Sequence, residues 1–246
     1  MTRAEALARL RALGLSEADA ATLADHFLDA DRRGKPSHGV ARIEWLETFS
    51  DLQPDARPER VVAEPGFERW EGRGALGYLT MAAICAAQLA DRPERSRLVV
   101  AADAWPIGML GFWVRRLAES GLVALLTATS PPRLGAPGGG PPLTGTNPLA
   151  IGIPSSDGRP LVADVSMGKA THGDVLLGRA GEDDLVPFGG EQAHKAFALA
   201  LGLQGLVDSL TGAEGYGAVL LVARAAGDPV PALRARSGAI RLPGDR

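Results

Sequence analysis

The chain has 246 residues, 46% of them hydrophobic but only 5% aromatic, and a net charge of −3. That length buries a sizeable core in one large or two small domains, built from Ala, Leu and Val more than from rings. Lys occurs only at Lys35, Lys169 and Lys195, and no basic run carries aromatic neighbours, so a nucleic-acid surface is not expected.

Taken in chain order, residues 3–13 carry Ala and Leu at helical spacing until Gly14 stops them. This opening segment is charged and amphipathic and has no continuous apolar stretch, unlike a secretory leader. Ser16 and Asp19, three apart, read as a capping box for a helix over 17–32. Gly34, Lys35 and Pro36 break the pattern, and Ser37 is expected to cap a third helix with Val40, Ile43, Leu46 and Phe49 at spacings of three. Residues 51–70 are rich in Pro and polar groups, with short strands predicted at 61–63 and 67–70.

A glycine turn then leads into a helix over 78–90 and a buried strand over 97–102. The lone cysteine, Cys85, lies on the apolar side of that helix, where it reads as a small buried hydrophobe. With one cysteine, an intrachain disulfide or a Cys-rich zinc cluster is excluded, and no metal site is expected. A helix over 109–119, a strand over 121–129, a Pro/Gly loop over 131–145 and a strand pair at 149–153 and 161–165 follow. Residues 168–191 are expected to be irregular, 192–210 helical, 218–225 a strand, and the last twenty residues turn-rich. No apolar stretch is long and unbroken enough to span a bilayer, so no membrane partner is expected and a cytoplasmic location is.

Several short motifs carry chemistry. Gly72-Arg73-Gly74-Ala75-Leu76-Gly77 fits G-x-G-x-x-G and precedes a helix and a strand ending at Asp103, as in a dinucleotide-binding βαβ unit. The strand before it is short and charged, however, and the same glycines suit a plain tight reversal and helix start. Ser37, His38 and Arg42 fall within about one helical turn of one another, with His38 and Arg42 four apart on one face. An imidazole beside a guanidinium fork suits a small carboxylate, although a helix cap would use the same residue types. Asp164 leaves an apolar strand, where it can meet a ligand or cap a turn, and Lys195 opens an apolar helix, where it can meet a phosphate or water.

In this order the segments SHGVAR, GRGALG, GTNPLAIGIP, ADVS, and PFGG with His194-Lys195, closed by Leu242-Pro243-Gly244-Asp245, resemble the malate/L-lactate dehydrogenase family of non-Rossmann type. The resemblance covers nearly the whole chain, most densely residues 15–165. It implies an α/β fold: a helical substrate-facing unit over 1–55, a mixed-sheet, non-Rossmann NAD(P)-type domain over 56–212, and a shortened C-terminal segment over 213–246. It further implies hydride transfer between NAD or NADP and C2 of a small 2-oxo, 2-hydroxy or cyclic 2-imino acid. By position, Ser37, His38 and Arg42 are implied to face the substrate, Ser37 and Arg42 as its binding residues and His38 as the expected catalytic group, while Ser130, Asp164, Val165 and Ser166 are implied to line the cofactor site with Lys195 near it. Gly244 and Asp245 match a C-terminal pair that approaches the cofactor, and a homodimer is implied because such units bury apolar faces against a second copy.

The chain also departs from the family pattern. Where the family's proton-donating His is expected, Asp103-Ala104-Trp105-Pro106-Ile107-Gly108 places Pro106, which cannot do acid–base work. Ala128-Thr129-Ser130, Ala196 and His172-Gly173 depart from it too, and the segments near 174–186 and after 213 are shorter. His38, His172 and Asp103 are the candidate replacement donors. A protonated C=N substrate needs the least help from any of them. The alternative is a divergent member that binds a nucleotide or an acid, or performs a non-redox step.

Overall fold

A computed structural model describes residues 1–212 and 215–245. The N-terminal unit holds α1 (Arg3–Ala12) and α2 (Glu17–Arg32); Thr2 caps the first, and Ser16 caps the second by accepting the Asp19 N–H, without the reciprocal half of the expected capping box. A 3-10 turn (Pro36–His38) and the short α3 (Ala41–Leu46) follow. Ser37 lies inside that turn and does not cap α3. Instead the Asp31 carboxylate accepts the Val40 N–H at 3.1 Å, because Gly39 has no Cβ to stand in its way.

Beyond this unit the chain alternates strands and helices: β1 (Glu59–Glu64), β2 (Phe67–Glu71), α4 (Gly77–Ala90), β3 (Ser96–Ala102), α5 (Leu110–Glu119), β4 (Leu122–Ala128), β5 (Leu149–Ile153) and β6 (Leu161–Val165). Residues expected to be irregular contain α6 (His172–Leu176) and two further 3-10 turns, because Thr171 and Asp174 form a capping box. Then come α7 (Ala193–Thr211), β7 (Ala218–Arg224) and α8 (Val230–Ser237). The helix α8 was not expected from the turn-rich composition; its Pro229–Val230–Pro231 start suits the first turn of a helix, where a missing N–H costs nothing.

One seven-stranded sheet runs in the order β1-β2-β3-β7-β4-β5-β6. Only β2 and β3 are parallel, joined through α4; the other neighbours are antiparallel. The fold is therefore α/β with a helical N-terminal region and a mixed sheet. The strand β7, drawn from the last segment, lies between β3 and β4, in the middle of the sheet formed by the preceding one. The segment boundary at 213 falls outside the described residues.

Strand alternation divides the side chains between two faces. The row Val99, Leu220, Leu126, Ala150 and Asp164 shares one face with α5, whose buried Trp113, Val114 and Leu117 join the main core. Each large apolar side chain buried here contributes about 1.5–3 kcal/mol. On the other face Leu149 packs against Ala200 and Leu203 of α7. On that face the cross-strand row Leu98, Leu221, Leu125 and Ile151 stays partly open, with Leu221 41% exposed. Among the described residues no helix is long and apolar enough to cross a membrane.

The glycine turn has a structural task. A Cβ at Gly72 would stand 1.7 Å from the Asp103 carbonyl oxygen, and one at Gly77 would stand 2.7 Å from that of Pro106. The Asp103 carboxylate accepts the Gly74 N–H at 2.9 Å. These glycines thus let the loop over 103–108 lie directly on the start of α4, and Asp103 is used to hold the turn.

Candidate active site

That loop, the 3-10 turn, α3, the start of α4, the N-terminus of α5, the ends of β4 and β6 and the start of α6 enclose a cavity of about 430 Å³. His38 and Arg42 both line it, although not from one helix face: His38 ends the 3-10 turn, Gly39 is extended, and Arg42 belongs to α3. Arg42 donates Nε–H to the Ser37 carbonyl at 2.7 Å, and its guanidinium lies 4.8 Å above the Trp45 ring. Among the described residues it makes no ion pair, and burial lowers its proton affinity, which Tyr78 and Asp174 partly restore. Ser37 stands behind Arg42, away from the cavity wall, and braces Arg42 and Asp174 from there.

The three imidazoles here are held uncharged near neutral pH. Burial, then the charges of Arg42 and Lys35, push His38 down to about 3 against the opposing pull of Asp174. Its Nδ1 is buried without a hydrogen-bond partner among the described residues. His172 is lowered by burial, Arg133 and Arg42. His26 lies behind the wall at about 3, lowered by burial and by His38, and its Nε2 accepts the Met109 N–H at 3.0 Å.

Two carboxylates, Asp164 and Asp174, share the cavity with the cations Lys35, Arg42 and Arg133. Burial raises the Asp164 carboxyl, against the Lys35 charge and the Gly111 N–H, which it accepts at 3.0 Å at the N-terminus of α5. Burial also works to raise Asp174, but hydrogen bonds from Thr171 and Ser37 hold it below its ordinary value.

Of the residues expected for the cofactor, Ser130, Asp164 and Ser166 line the cavity. Val165 does not: it follows Asp164 in β6, so alternation turns it to the α7 face, where it is 46% exposed. Lys195 lies exposed near the start of α7 and does not reach the cavity either. Asp103 is likewise outside it. The cavity adds Tyr78, Lys35, Arg133 and an aromatic corner in which Trp105 packs against Trp45 and Phe49, with ring centroids 5.5 and 5.9 Å away. Pro106 forms part of the wall beside that corner. In the sequence Tyr78 follows Gly77 and looks like an ordinary helix opener; only the close approach of Gly77 to the 103–108 loop turns it into a wall residue.

A model described as malate/L-lactate dehydrogenase matches residues 2–185. The chain is 32% identical over 182 residues to a (2R)-3-sulfolactate dehydrogenase (NADP(+)) of Chromohalobacter salexigens, a match over 72% of this chain and 54% of that one. It is 30% identical over 234 residues to a Delta(1)-pyrroline-2-carboxylate/Delta(1)-piperideine-2-carboxylate reductase of Pseudomonas putida, covering 81% of this chain and 66% of the relative. The chain thus spans only about half to two thirds of the length of these curated relatives. Among solved structures, the delta1-piperideine-2-carboxylate reductase from Pseudomonas syringae pvar. tomato superposes with TM-score 0.83 at 25% identity, over 100% of this chain and 91% of that one. A malate dehydrogenase from Entamoeba histolytica superposes with TM-score 0.85 at 18% identity, over 99% and 85%.

Proposed function

Because the chain belongs to the malate/L-lactate dehydrogenase family, we propose that it is an NAD(P)-dependent oxidoreductase acting at C2 of a small 2-oxo, 2-hydroxy or cyclic 2-imino acid. The observation that carries this reading is Arg42, a partly buried guanidinium that makes no ion pair among the described residues, fixed by its Nε and lining a cavity of small-molecule size. A buried cation without a counter-ion is costly, and a substrate carboxylate removes that cost while gaining charge-assisted hydrogen bonds.

The residues present suit a nicotinamide cofactor. The hydroxyl residues Ser130 and Ser166, the Arg133 and Lys35 cations and the apolar Leu110 and Pro148 line the same cavity, offering donors, charge for phosphate and a surface for a ring. A reduced nicotinamide, when bound, supplies the hydride. His38, uncharged in this setting, serves as the catalytic imidazole by hydrogen-bonding the carbonyl oxygen or imine nitrogen. Arg42 fixes the carboxylate, with Ser37 holding Arg42, and Trp105 and Phe49 narrow the space for water.

A member that binds without turnover is the second reading, favoured by Pro106 in the wall. Fluorescence titration with NADH and NADPH, followed by turnover assays on 2-oxo and cyclic 2-imino acids, separates the two. No nucleotide binding at millimolar concentration overturns the oxidoreductase reading; binding without turnover of any such acid favours the second. Arg42→Ala is expected to weaken acid binding by about 1.5–3 kcal/mol, with nucleotide affinity nearly kept. Equal loss of both affinities would make Arg42 a structural residue.

A homodimer belongs to the same proposal, supported by the open sheet row around Leu221. So does a cytoplasmic location, where nicotinamide cofactors are supplied.

A further inference from the structure

We infer that the Tyr78 hydroxyl is the proton donor to the substrate oxygen, taking the part that the Pro106 position cannot play. The inference rests on the oxidoreductase reading above and specifies it toward 2-oxo acids.

Reducing a 2-oxo acid requires a proton at the oxygen on C2, one bond from the carbon that carries the carboxylate. If Arg42 holds that carboxylate, the donor must lie close to Arg42. Tyr78 meets this requirement: it lines the cavity, and it and Arg42 interact electrostatically. Its ring is fixed on several sides. His26 and Phe27 meet it edge-on at 5.1 and 5.3 Å, and a Cβ at Gly108 would stand 2.3 Å from its Cε1. Its own backbone is set by Gly77 against the Pro106 carbonyl. Among the described residues, no protein group hydrogen-bonds its hydroxyl.

The titratable groups that share the cavity are engaged or hold no acidic proton to transfer. Asp164 binds the Gly111 N–H and Asp174 binds Thr171. Arg42 is given to the carboxylate, and Lys35 lies 3.9 Å from Asp164. His26, His38 and His172 are uncharged near neutral pH.

Burial raises the Tyr78 hydroxyl to about 12, with Arg42 opposing the rise, so the hydroxyl keeps its proton until a stronger base forms beside it. An alkoxide is such a base. As hydride from the reduced nicotinamide reaches C2, the C=O π pair moves onto oxygen, the Tyr78 O–H bond breaks and its proton joins that oxygen. Tyr78 is left as a phenolate beside Arg42 and recovers a proton from water. A cyclic imine already protonated on nitrogen needs no such transfer.

The experiment compares wild type with Tyr78→Phe on a 2-oxo acid and on a cyclic 2-imino acid, with NADPH affinity measured for both proteins. Tyr78→Phe is expected to lower kcat for the 2-oxo acid by about 10²–10⁴-fold with KM nearly kept, and to affect the imino acid at least about tenfold less. Reduction by wild type is expected to show no acidic group titrating near neutral pH.

A second measurement needs no cofactor. The chain holds two tyrosines, so in a Tyr216→Phe background phenolate absorption follows Tyr78 alone. Oxamate bound at Arg42 is expected to shift that titration to higher pH by cancelling the guanidinium charge. Unchanged kcat in Tyr78→Phe, equal loss on both substrates, or a titration insensitive to oxamate overturns the role of Tyr78 while leaving the oxidoreductase reading standing. Wild type that turns over neither substrate overturns that reading, and this inference with it.

Discussion

Gly173 lies against Arg42: a Cβ there would stand 2.5 Å from Arg42 Nη2 and 2.5 Å from the Ser37 carbonyl oxygen. The second contact is with backbone, so the neighbour cannot simply swing aside. Gly173→Ala is therefore expected to displace the guanidinium by a fraction of an ångström to an ångström. A displacement of that size costs on the order of 10²-fold in kcat/KM, and overpacking costs about 1–3 kcal/mol of stability. Steady-state kinetics and thermal melts on the variant check both. Normal kinetics would mean that Arg42 does not set the substrate's position.

Asp164 has a structural task beside any role at the cofactor, because it receives the Gly111 N–H. Asp164→Ala removes that acceptor and is expected to cost about 0.5–2 kcal/mol, as loss of a helix cap does. Asp164→Asn keeps an oxygen acceptor and removes a buried charge. The folded carboxyl lies above its unfolded value, so its contribution is fullest at low pH and is lost as pH rises through the folded value. Asp164→Asn should thus match or exceed wild type in stability at neutral pH and lose that advantage in acid. Urea melts across pH test the sign.

His38 gives the opposite slope. Its folded value of about 3 lies below the unfolded imidazole's value of about 6.5, so its contribution is present above about 6.5 and is lost as pH falls toward about 3. His26 acts in the same direction. His38→Gln is expected to flatten the loss of stability across that window by one group's share. An unaltered slope in guanidinium melts would show that His38 takes up its proton without leaving the folded state.

Leu221 lies at the centre of the open sheet row, 41% exposed between Leu98 and Leu125. Wild type is expected to run as a dimer in light scattering at micromolar concentration, and Leu221→Glu to shift it to monomer by burying a charge in that contact. A wild-type monomer, or a dimer untouched by Leu221→Glu, would place the contact elsewhere.

Periodicity made most of the fold legible in the sequence. The helices over 17–32, 109–119 and 192–210 and the strands near 97–102 and 149–165 match α2, α5, α7, β3, β5 and β6 to within a residue or two. The short α6 and α8 were not legible, because their formation depends on a cap and a proline start in stretches too short for a period to show. His38 and Arg42 do share the cavity, but a turn and a separate helix bring them there rather than one helix face; Asp164 was legible at the exit of its strand, while Ser130 and Ser166 came from the family resemblance. Local spacing did not reveal Tyr78, Arg133 or the Trp105 corner, whose positions depend on contacts between distant segments. Val165 shows the same limit at shorter range: one step along β6 carries a side chain from the cavity to the far face.

The place of β7 has a consequence for synthesis. On the ribosome β3 and β4 emerge more than ninety residues before the strand that separates them in the finished sheet, the distance from Leu122 to Ala218 being 96 positions. Until then each exposes an unpaired edge toward the other, so a nascent chain halted before residue 218 holds two half-sheets with sticky inner edges. Such long-range pairing slows folding and makes late closure the step most in need of protection by chaperones.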